Sequence, residues 1–443
     1  MHRFKNKMKK ISIFFRLQVK LNLNLYPLIS LFGCRGLTGH PKIYLKNKRI
    51  WVKIYLLWVI FFFYLGENCI AAPKNDSPFY IYDIITKYDC VFTEQMKQHK
   101  IPGAALAVVR NDEVIYVKCY GVRNVNFTEP VNEHTLFRLA SLSKGISAVL
   151  TGMLVESKAL AWDAPVINYL HDFQLCDPAA TQRLTIRHIL SHTSGLPSYA
   201  GTELLESNLS YPVLKTNLAT VRLSAQPGEQ YNYQNVLFSL IGDIIKSVMQ
   251  TGYEQVIDSY LFKPLGMNDA CMGRLKYLGQ LNHASAHIMR DSVVVPVKIK
   301  QSYYNIPPAA GMNASITDMV QWLKVMLGYR PDIVSPAIRE QIFMPYIKTD
   351  KESRYFGKWR NLNDTYYGLG WRVFNYAETN LIYHGGYVQG FRSEIAIDPV
   401  NRLGIVILMN SESPFADMCI PLFFDLYLGL PNNCTQRTSE ICK

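Results

Sequence analysis

The apolar and polar positions alternate differently along the chain, dividing it into strand-rich ends and a helical middle. Ile81 to Gln98 reads as an opening helix. Gly103 to Arg110 and Glu113 to Cys119 are β-rich runs separated by Asn111-Asp112, the signature of a hairpin. Near the other end, Gly368 to Phe374, Asn380 to Tyr383, Arg392 to Asp398 and Leu403 to Met409 alternate with turn residues such as Asp398-Pro399 and Asn401, which predicts antiparallel strands. An amphipathic helix over Pro414 to Leu428 closes the series. Thr185 to about Met344 reads as mostly helical with long loops.

Strands from both ends with helices between them predict an α/β protein of the α+β type. One antiparallel sheet is built from both ends of the chain and flanked by helices, with a mostly helical region inserted. In numbers, the sheet region covers 73–165 and 365–430, the helical region 166–364, and a short tail 431–443.

Three polar motifs follow one another on this frame. In Ser141-Leu142-Ser143-Lys144, a serine and a lysine three positions apart lie on one face of a helix, so the amine can reach the hydroxyl. Ser143 sits beside Lys144 in sequence and is turned off that face. Tyr233-Gln234-Asn235 comes next, with the Pro227-Gly228 turn before it and an apolar helix, Val236 to Met249, after it. A second Tyr-x-Asn, Tyr303-Tyr304-Asn305, lacks both flanks and reads as loop aromatics over the cleft. His384-Gly385-Gly386 follows on a strand. His188 and His192 have i, i+4 spacing, but Gly195-Leu196-Pro197 stops the helix at once and the glutamate of H-E-x-x-H is absent, so the pair reads as a structural helix end.

These motifs are similar to those of the serine β-lactamase-like hydrolases, the group of class C β-lactamases, D-alanyl-D-alanine peptidases and family VIII-type esterases. The resemblance runs from about Tyr80 to Leu430 and includes Leu190-Ser191-His192-Thr193-Ser194-Gly195-Leu196-Pro197 and His384-Gly385-Gly386-Tyr387-Val388-Gln389-Gly390-Phe391. It implies the same fold, with a site where the sheet meets the helical region. Ser141 would be the acylated residue, Lys144 its activator and Tyr233 the proton relay. Asn235 would orient Lys144 and bind substrate. His384 and Gly386 would line the substrate strand, and the backbone N–H groups of Ser141 and Tyr387 would form the oxyanion hole, a feature worth roughly 2.7 to 4 kcal/mol per donor. Histidine where β-lactamases carry lysine removes a fixed positive charge, which favours ester, amide or peptide substrates over β-lactams. Arg392 is a candidate for the missing charge, although it reads more simply as a surface arginine. No metal or organic cofactor is implied. The rival reading keeps the fold as a non-catalytic penicillin-recognising or scaffolding protein.

Charge changes the picture less than its total suggests. The 443 residues carry 47 Lys and Arg against 34 Asp and Glu. Thirteen of the basic residues and one acid, Glu67, lie in residues 1–72, leaving 34 against 33 for the rest. The nearly neutral body removes the main support for a nucleic-acid partner and leaves a small-molecule or peptide substrate as the expected one. Lys46, Lys48, Arg49 and Lys53, the apolar run from Ile54 to Gly66, and Cys69-Ile70-Ala71-Ala72-Pro73 describe a secretory signal with cleavage after Ala71 or Ala72. The alternative is a membrane anchor at residues 51–66. Either places the protein outside the cytoplasm, periplasmic or secreted. Export would permit disulfides among Cys90, Cys119, Cys176, Cys271, Cys419, Cys434 and Cys442, and spacing does not assign the pairing.

Overall fold

The computed structural model describes residues 78–350, 356–377 and 379–431. The expectations for the leader, its cleavage site, the anchor, Cys434 and Cys442 lie outside the described residues. Among the described residues, no helix is long and apolar enough to cross a membrane. Cys90 is disulfide-bonded, and Cys119, Cys176, Cys271 and Cys419 are free thiols.

The opening helix α1 (Pro78–Gln98) leads into the predicted hairpin, β1 (Gly103–Arg110) and β2 (Glu113–Gly121). Asn111 takes φ 57° at the reversal, a left-handed conformation that asparagine tolerates better than most residues. The central helix α2 (Ser143–Glu156) follows. In the middle of the chain, α3 (Ile186–Leu190), α4 (Leu240–Met249) and α5 (Ile316–Leu327) are the helices that bear on the site. The same stretch holds a two-stranded hairpin, β3 (Ala286–Arg290) and β4 (Val293–Val297), where sequence predicts helices and loops. Pro296 inside the valine run obscures the strand. In a two-stranded ribbon every strand is an edge, and proline is tolerated there.

The C-terminal part supplies β5 (Ile347–Lys348), β6 (Leu362–Tyr367), β7 (Arg372–Tyr376), β8 (Thr379–Val388), β9 (Phe391–Asp398), β10 (Leu403–Met409) and the closing helix α6 (Ala416–Leu428). The strand expected over Gly368 to Phe374 begins only at Arg372. Gly368 N–H donates to the Trp371 carbonyl at 2.7 Å and Gly370 sits at φ 74°, so these residues form the β6–β7 turn. The eight strands run antiparallel in the order β2-β1-β10-β9-β8-β7-β6-β5. The first hairpin joins the last strand, with Ala104 opposite Met409 and Arg110 opposite Leu403, so the sheet is assembled from both ends as the pattern predicts.

Strand β1 is buried on both faces, which is why it reads as a continuous apolar run. Ala104, Leu106 and Val108 face α1 and α6, where Tyr88, Phe92, Phe415 and Phe423 pack edge to face. Ala105, Ala107 and Val109 join the opposite core with α2 and α5. A three-stranded sheet of Phe137–Arg138, Met312–Ala314 and Cys271–Met272 sits beside α2. Leu139 N–H extends it by donating to the Met312 carbonyl at 3.0 Å, fixing the chain just before Ser141.

Candidate active site

Ser141 lies in a 3₁₀ turn, Ala140–Leu142, that runs directly into α2. Ala140 is held at φ 49°, a conformation costing about 1–3 kcal/mol for a residue with a Cβ and sustained only by its surroundings. Helix α2 is buried on almost every side because its residues are small or apolar. At Gly145 an added Cβ would stand 2.6 Å from the Trp371 indole, so the helix packs directly onto the β6–β7 turn. Ser143 Oγ is turned to other partners than Ser141, accepting from Met312 N–H at 3.2 Å.

Lys144 is fully buried, and its Nζ reaches three oxygens: Asn235 Oδ1 at 2.8 Å, the Ala309 carbonyl at 3.2 Å and Ser141 Oγ at 3.2 Å. Burial, and then the positive charge of Arg372, hold the amine well below the usual lysine range. A neutral amine has two N–H bonds and one lone pair. Asn235 Oδ1 and the Ala309 carbonyl can only accept, so they take the two N–H bonds and leave the lone pair for the Ser141 hydroxyl proton.

Tyr233 Oη stands 3.0 Å from Ser141 Oγ, and its ring lies 4.7 Å from Lys144 Nζ. The loop carrying Tyr233 and Asn235 is pinned by Tyr199 N–H donating to the Tyr233 carbonyl at 2.7 Å and by Gly228 N–H donating to the Thr193 carbonyl at 2.7 Å. Gly228 takes φ 95° in the turn that sequence marks ahead of this motif. The competing motif engages other partners: Tyr303 Oη donates to Glu206 Oε1 at 2.9 Å and Tyr304 Oη to Asn313 Oδ1 at 2.7 Å.

Strand β8 brings the third motif beside the Ser141 turn. Gly386 lies on the face toward it: an added Cβ would come within 2.2 Å of Ser393 Oγ and 2.5 Å of the Leu139 carbonyl. The missing side chain thus makes room for the protein's own Ser141 turn. His384 is buried, with Nδ1 on the Gly385 carbonyl at 2.9 Å and Nε2 on Tyr367 Oη at 3.0 Å, so both nitrogens are engaged inside the protein. Burial, Arg372 and Lys144 hold it well below the usual histidine range, and it is neutral. Tyr387 is half-exposed, and burial together with Glu412 pushes its phenol up to about 12. Among the described residues, β8 pairs beyond Tyr383 with β9 alone, because β7 begins at Arg372, opposite Tyr383.

Sequence reasoning missed three residues that face this site. Arg372, at the start of β7, has its guanidinium 5.7 Å from the Tyr233 ring and is buried. Tyr367 ends β6, and His192 stacks 4.3 Å from the Tyr233 ring. The predicted helix end is present, with His192 at φ 59° just beyond α3. His188 completes the helix cap, its Nδ1 accepting from Thr185 N–H at 3.2 Å, while His192 turns into the site. No local spacing signals these three, since they converge from separate turns. Arg392 is not a surface arginine, and its charge is matched by two carboxylates of the protein rather than held ready for a substrate. It shares a face of β9 with Glu394, opposite Ser393, and bonds Glu394 Oε1 at 2.9 Å and Asp417 Oδ1 at 2.8 Å.

The fold and the convergence of these motifs define the class: a protein of the β-lactamase and transpeptidase-like architecture. The chain belongs to the Beta-lactamase family, whose model matches residues 89–425. Among curated proteins it is similar to Protein flp of Staphylococcus aureus (strain MW2), 26% identical over 329 residues covering 74% of this chain and 63% of that protein. It is also 26% identical over 391 residues to the unguisins hydrolase ungD of Aspergillus violaceofuscus, covering 82% of this chain and 67% of that one. The chain thus spans under two thirds of the Staphylococcus relative. Among solved structures, the octameric penicillin-binding protein homologue from Pyrococcus abyssi superposes with TM-score 0.70 at 25% identity, covering 78% of each chain. EstCE1, a hydrolase with promiscuous acyltransferase activity, superposes with TM-score 0.66 at 21% identity over 78% of this chain and 98% of its own, a likeness of fold.

Proposed function

We propose that this protein is an exported serine hydrolase that acts through an acyl-enzyme at Ser141 on an ester, amide or peptide. One observation carries the reading: Ser141 Oγ lies 3.2 Å from the Lys144 amine and 3.0 Å from the Tyr233 phenol. The unguisins hydrolase among its relatives supports hydrolysis as the chemistry.

In this mechanism the Ser141 oxygen attacks the substrate carbonyl as its proton passes to the Lys144 lone pair. The carbonyl oxygen becomes an oxyanion facing the backbone N–H groups of Ser141 and Tyr387. Collapse breaks the bond to the leaving group, which takes a proton from Tyr233, and Lys144 restores that proton to the phenol. A water then attacks the acyl-enzyme, delivering its proton through Tyr233 and Lys144 back to Ser141. Lys144 has to be uncharged at the outset, and burial with Arg372 nearby meets that need.

The half of β8 that, among the described residues, pairs only with β9 offers a backbone edge for an extended acyl or peptide group. His384 carries no fixed charge and spends both nitrogens internally, which ranks an esterase or D-amino-acid-type peptidase ahead of a β-lactamase. The test is incubation with a short acyl p-nitrophenyl ester, a chromogenic cephalosporin and a fluorescent penicillin, alongside Ser141→Ala. Turnover of the ester is expected, with loss in the variant. Silence toward all three, or full activity in Ser141→Ala, overturns the reading. Export is tested separately by N-terminal sequencing of the mature protein, where a terminus before Ile54 would contradict cleavage.

A further inference from the structure

Behind the Tyr233 ring, three buried side chains that take no part in acyl transfer are joined end to end. Gln234 N–H donates to His192 Nδ1 at 3.1 Å, His192 Nε2 meets Tyr367 Oη at 3.1 Å, and Tyr367 Oη meets His384 Nε2 at 3.0 Å. His384 Nδ1 then meets the Gly385 carbonyl at 2.9 Å. The two ends fix the direction of every bond. A backbone N–H can only donate, so His192 Nδ1 carries the lone pair and Nε2 the hydrogen. A carbonyl can only accept, so His384 Nδ1 carries the hydrogen and Nε2 the lone pair. The Tyr367 hydroxyl therefore accepts from His192 and donates to His384, and one arrangement of hydrogens satisfies the whole string. That arrangement requires both imidazoles to be neutral, and in opposite tautomers.

The string begins at the neighbour of Tyr233 and Asn235 and ends two residues before Tyr387. It spans two of the three motifs without touching Ser141. We propose that His192, Tyr367 and His384 are positioning residues: a one-way hydrogen-bond brace that holds the Tyr233 loop and the Tyr387 strand at the separation acyl transfer needs. Its kinetic consequence rests on the hydrolase reading; its existence does not.

The surroundings favour the neutral string. His192 packs between Tyr231, Tyr233, Phe238 and Tyr367. The charged groups acting on both rings are Lys144 from α2 and Arg372 from β7, both basic. Burial comes first and these charges second in holding both histidines well below their usual range. Protonating His192 would set Nδ1–H against the Gln234 N–H, and protonating His384 would set Nε2–H against the Tyr367 O–H hydrogen, which would have to turn away from the string. Either event breaks the brace, so it stands at neutral pH and fails in acid.

Histidine side-chain ¹⁵N NMR on the intact protein reads the tautomers directly. His192 is expected as the Nε2–H form and His384 as the Nδ1–H form, both persisting from neutral pH to below the ordinary histidine value of about 6.5. Both rings in the same tautomer, or either one protonated across that range, would overturn the proposal even if the protein hydrolyses nothing. Tyr367→Phe keeps the ring and removes the central hydroxyl. With a p-nitrophenyl ester, its kcat is expected to fall roughly 10- to 100-fold, the scale of an ångström-sized misplacement, with KM within about twofold and the acid limb of kcat displaced to higher pH. A kcat within about twofold of the native value would overturn the brace. Should that variant not fold, the tautomer measurement on the native chain decides alone.

Discussion

Gly386→Ala is the substitution whose effect the structure constrains most tightly. The new methyl would lie 2.2 Å from Ser393 Oγ, 2.5 Å from the Leu139 carbonyl and 3.2 Å from Ala140 Cβ. Ser393 Oγ already donates to that same carbonyl at 2.7 Å, so rotating it away sacrifices a buried hydrogen bond worth about 0.5–1.5 kcal/mol. The carbonyl itself is backbone, fixed by the bond from Leu139 N–H to Met312. Strand β8 and the Ser141 turn must therefore part by about an ångström. Overpacking of this kind costs about 1–3 kcal/mol of stability. The same displacement separates Ser141 from the Tyr387 N–H, and a misplacement of about 1 Å lowers rates on the order of 10²-fold. The assay pairs thermal unfolding with kcat and KM for a p-nitrophenyl ester in Gly386→Ala, Ser393→Ala and the double variant. Ser393→Ala should lose a single hydrogen bond and little activity. The double variant should regain melting temperature more than rate, because the clash with the Leu139 carbonyl persists. A Gly386→Ala protein with kcat/KM within about threefold of native and unchanged melting would refute the reasoning.

Four further substitutions, at three positions, probe the buried charges and their partners. Arg372→Gln removes a cation that depresses Lys144, so the lysine should hold its proton to higher pH and the acid limb of kcat/KM should move alkaline; a pH–rate profile that does not move would contradict this. Asn235→Ala deprives a buried amine of its 2.8 Å acceptor, and a loss of about 1–3 kcal/mol should appear as slower acylation in stopped-flow traces. Asn235→Asp should instead favour the ammonium and silence the protein near neutral pH, which the same traces would reveal. Glu394, fully buried beside Arg392, has its carboxyl pushed up to about 7 by burial. The folded state then binds the proton more tightly than the unfolded chain. This stabilisation is complete below about pH 4.5 and is lost as pH rises through about 7. Thermal unfolding across that window should show a decline that Glu394→Gln flattens.

The four residues Ser141, Lys144, Tyr233 and Asn235 were legible because each sits in a short motif with its own local geometry. Fixed spacing on a helix brings Lys144 to Ser141, and the Pro227-Gly228 turn with the following apolar helix separates Tyr233 from Tyr303. The assembly of the sheet from both ends followed from the short, continuous apolar runs at 103–110 and 403–409, which are bounded by turn residues and pair directly. Arg372, Tyr367 and His192 were hidden for the converse reason. Each closes or opens an element, and only the tertiary meeting of the β6–β7 turn with the end of α3 turns them toward one ring. The strand start at Arg372 was blurred because Gly368 and Gly370 follow Tyr366-Tyr367 without a break in apolar character. Gly386 was legible as part of the strand expected to line the substrate, but sequence could not say that its missing side chain makes room for the protein's own Ser141 turn.

The central claim is that the Ser141 hydroxyl, flanked by an uncharged amine and a phenol, takes the acyl group. Intact-mass and peptide-mapping spectrometry after brief exposure to a fluorescent penicillin or an activated ester tests it most directly. The account predicts a single acyl increment on the peptide containing Ser141, confined to that side chain and absent from Ser141→Ala. An adduct on Ser143 or on another peptide, or ester turnover undiminished in Ser141→Ala, would contradict it.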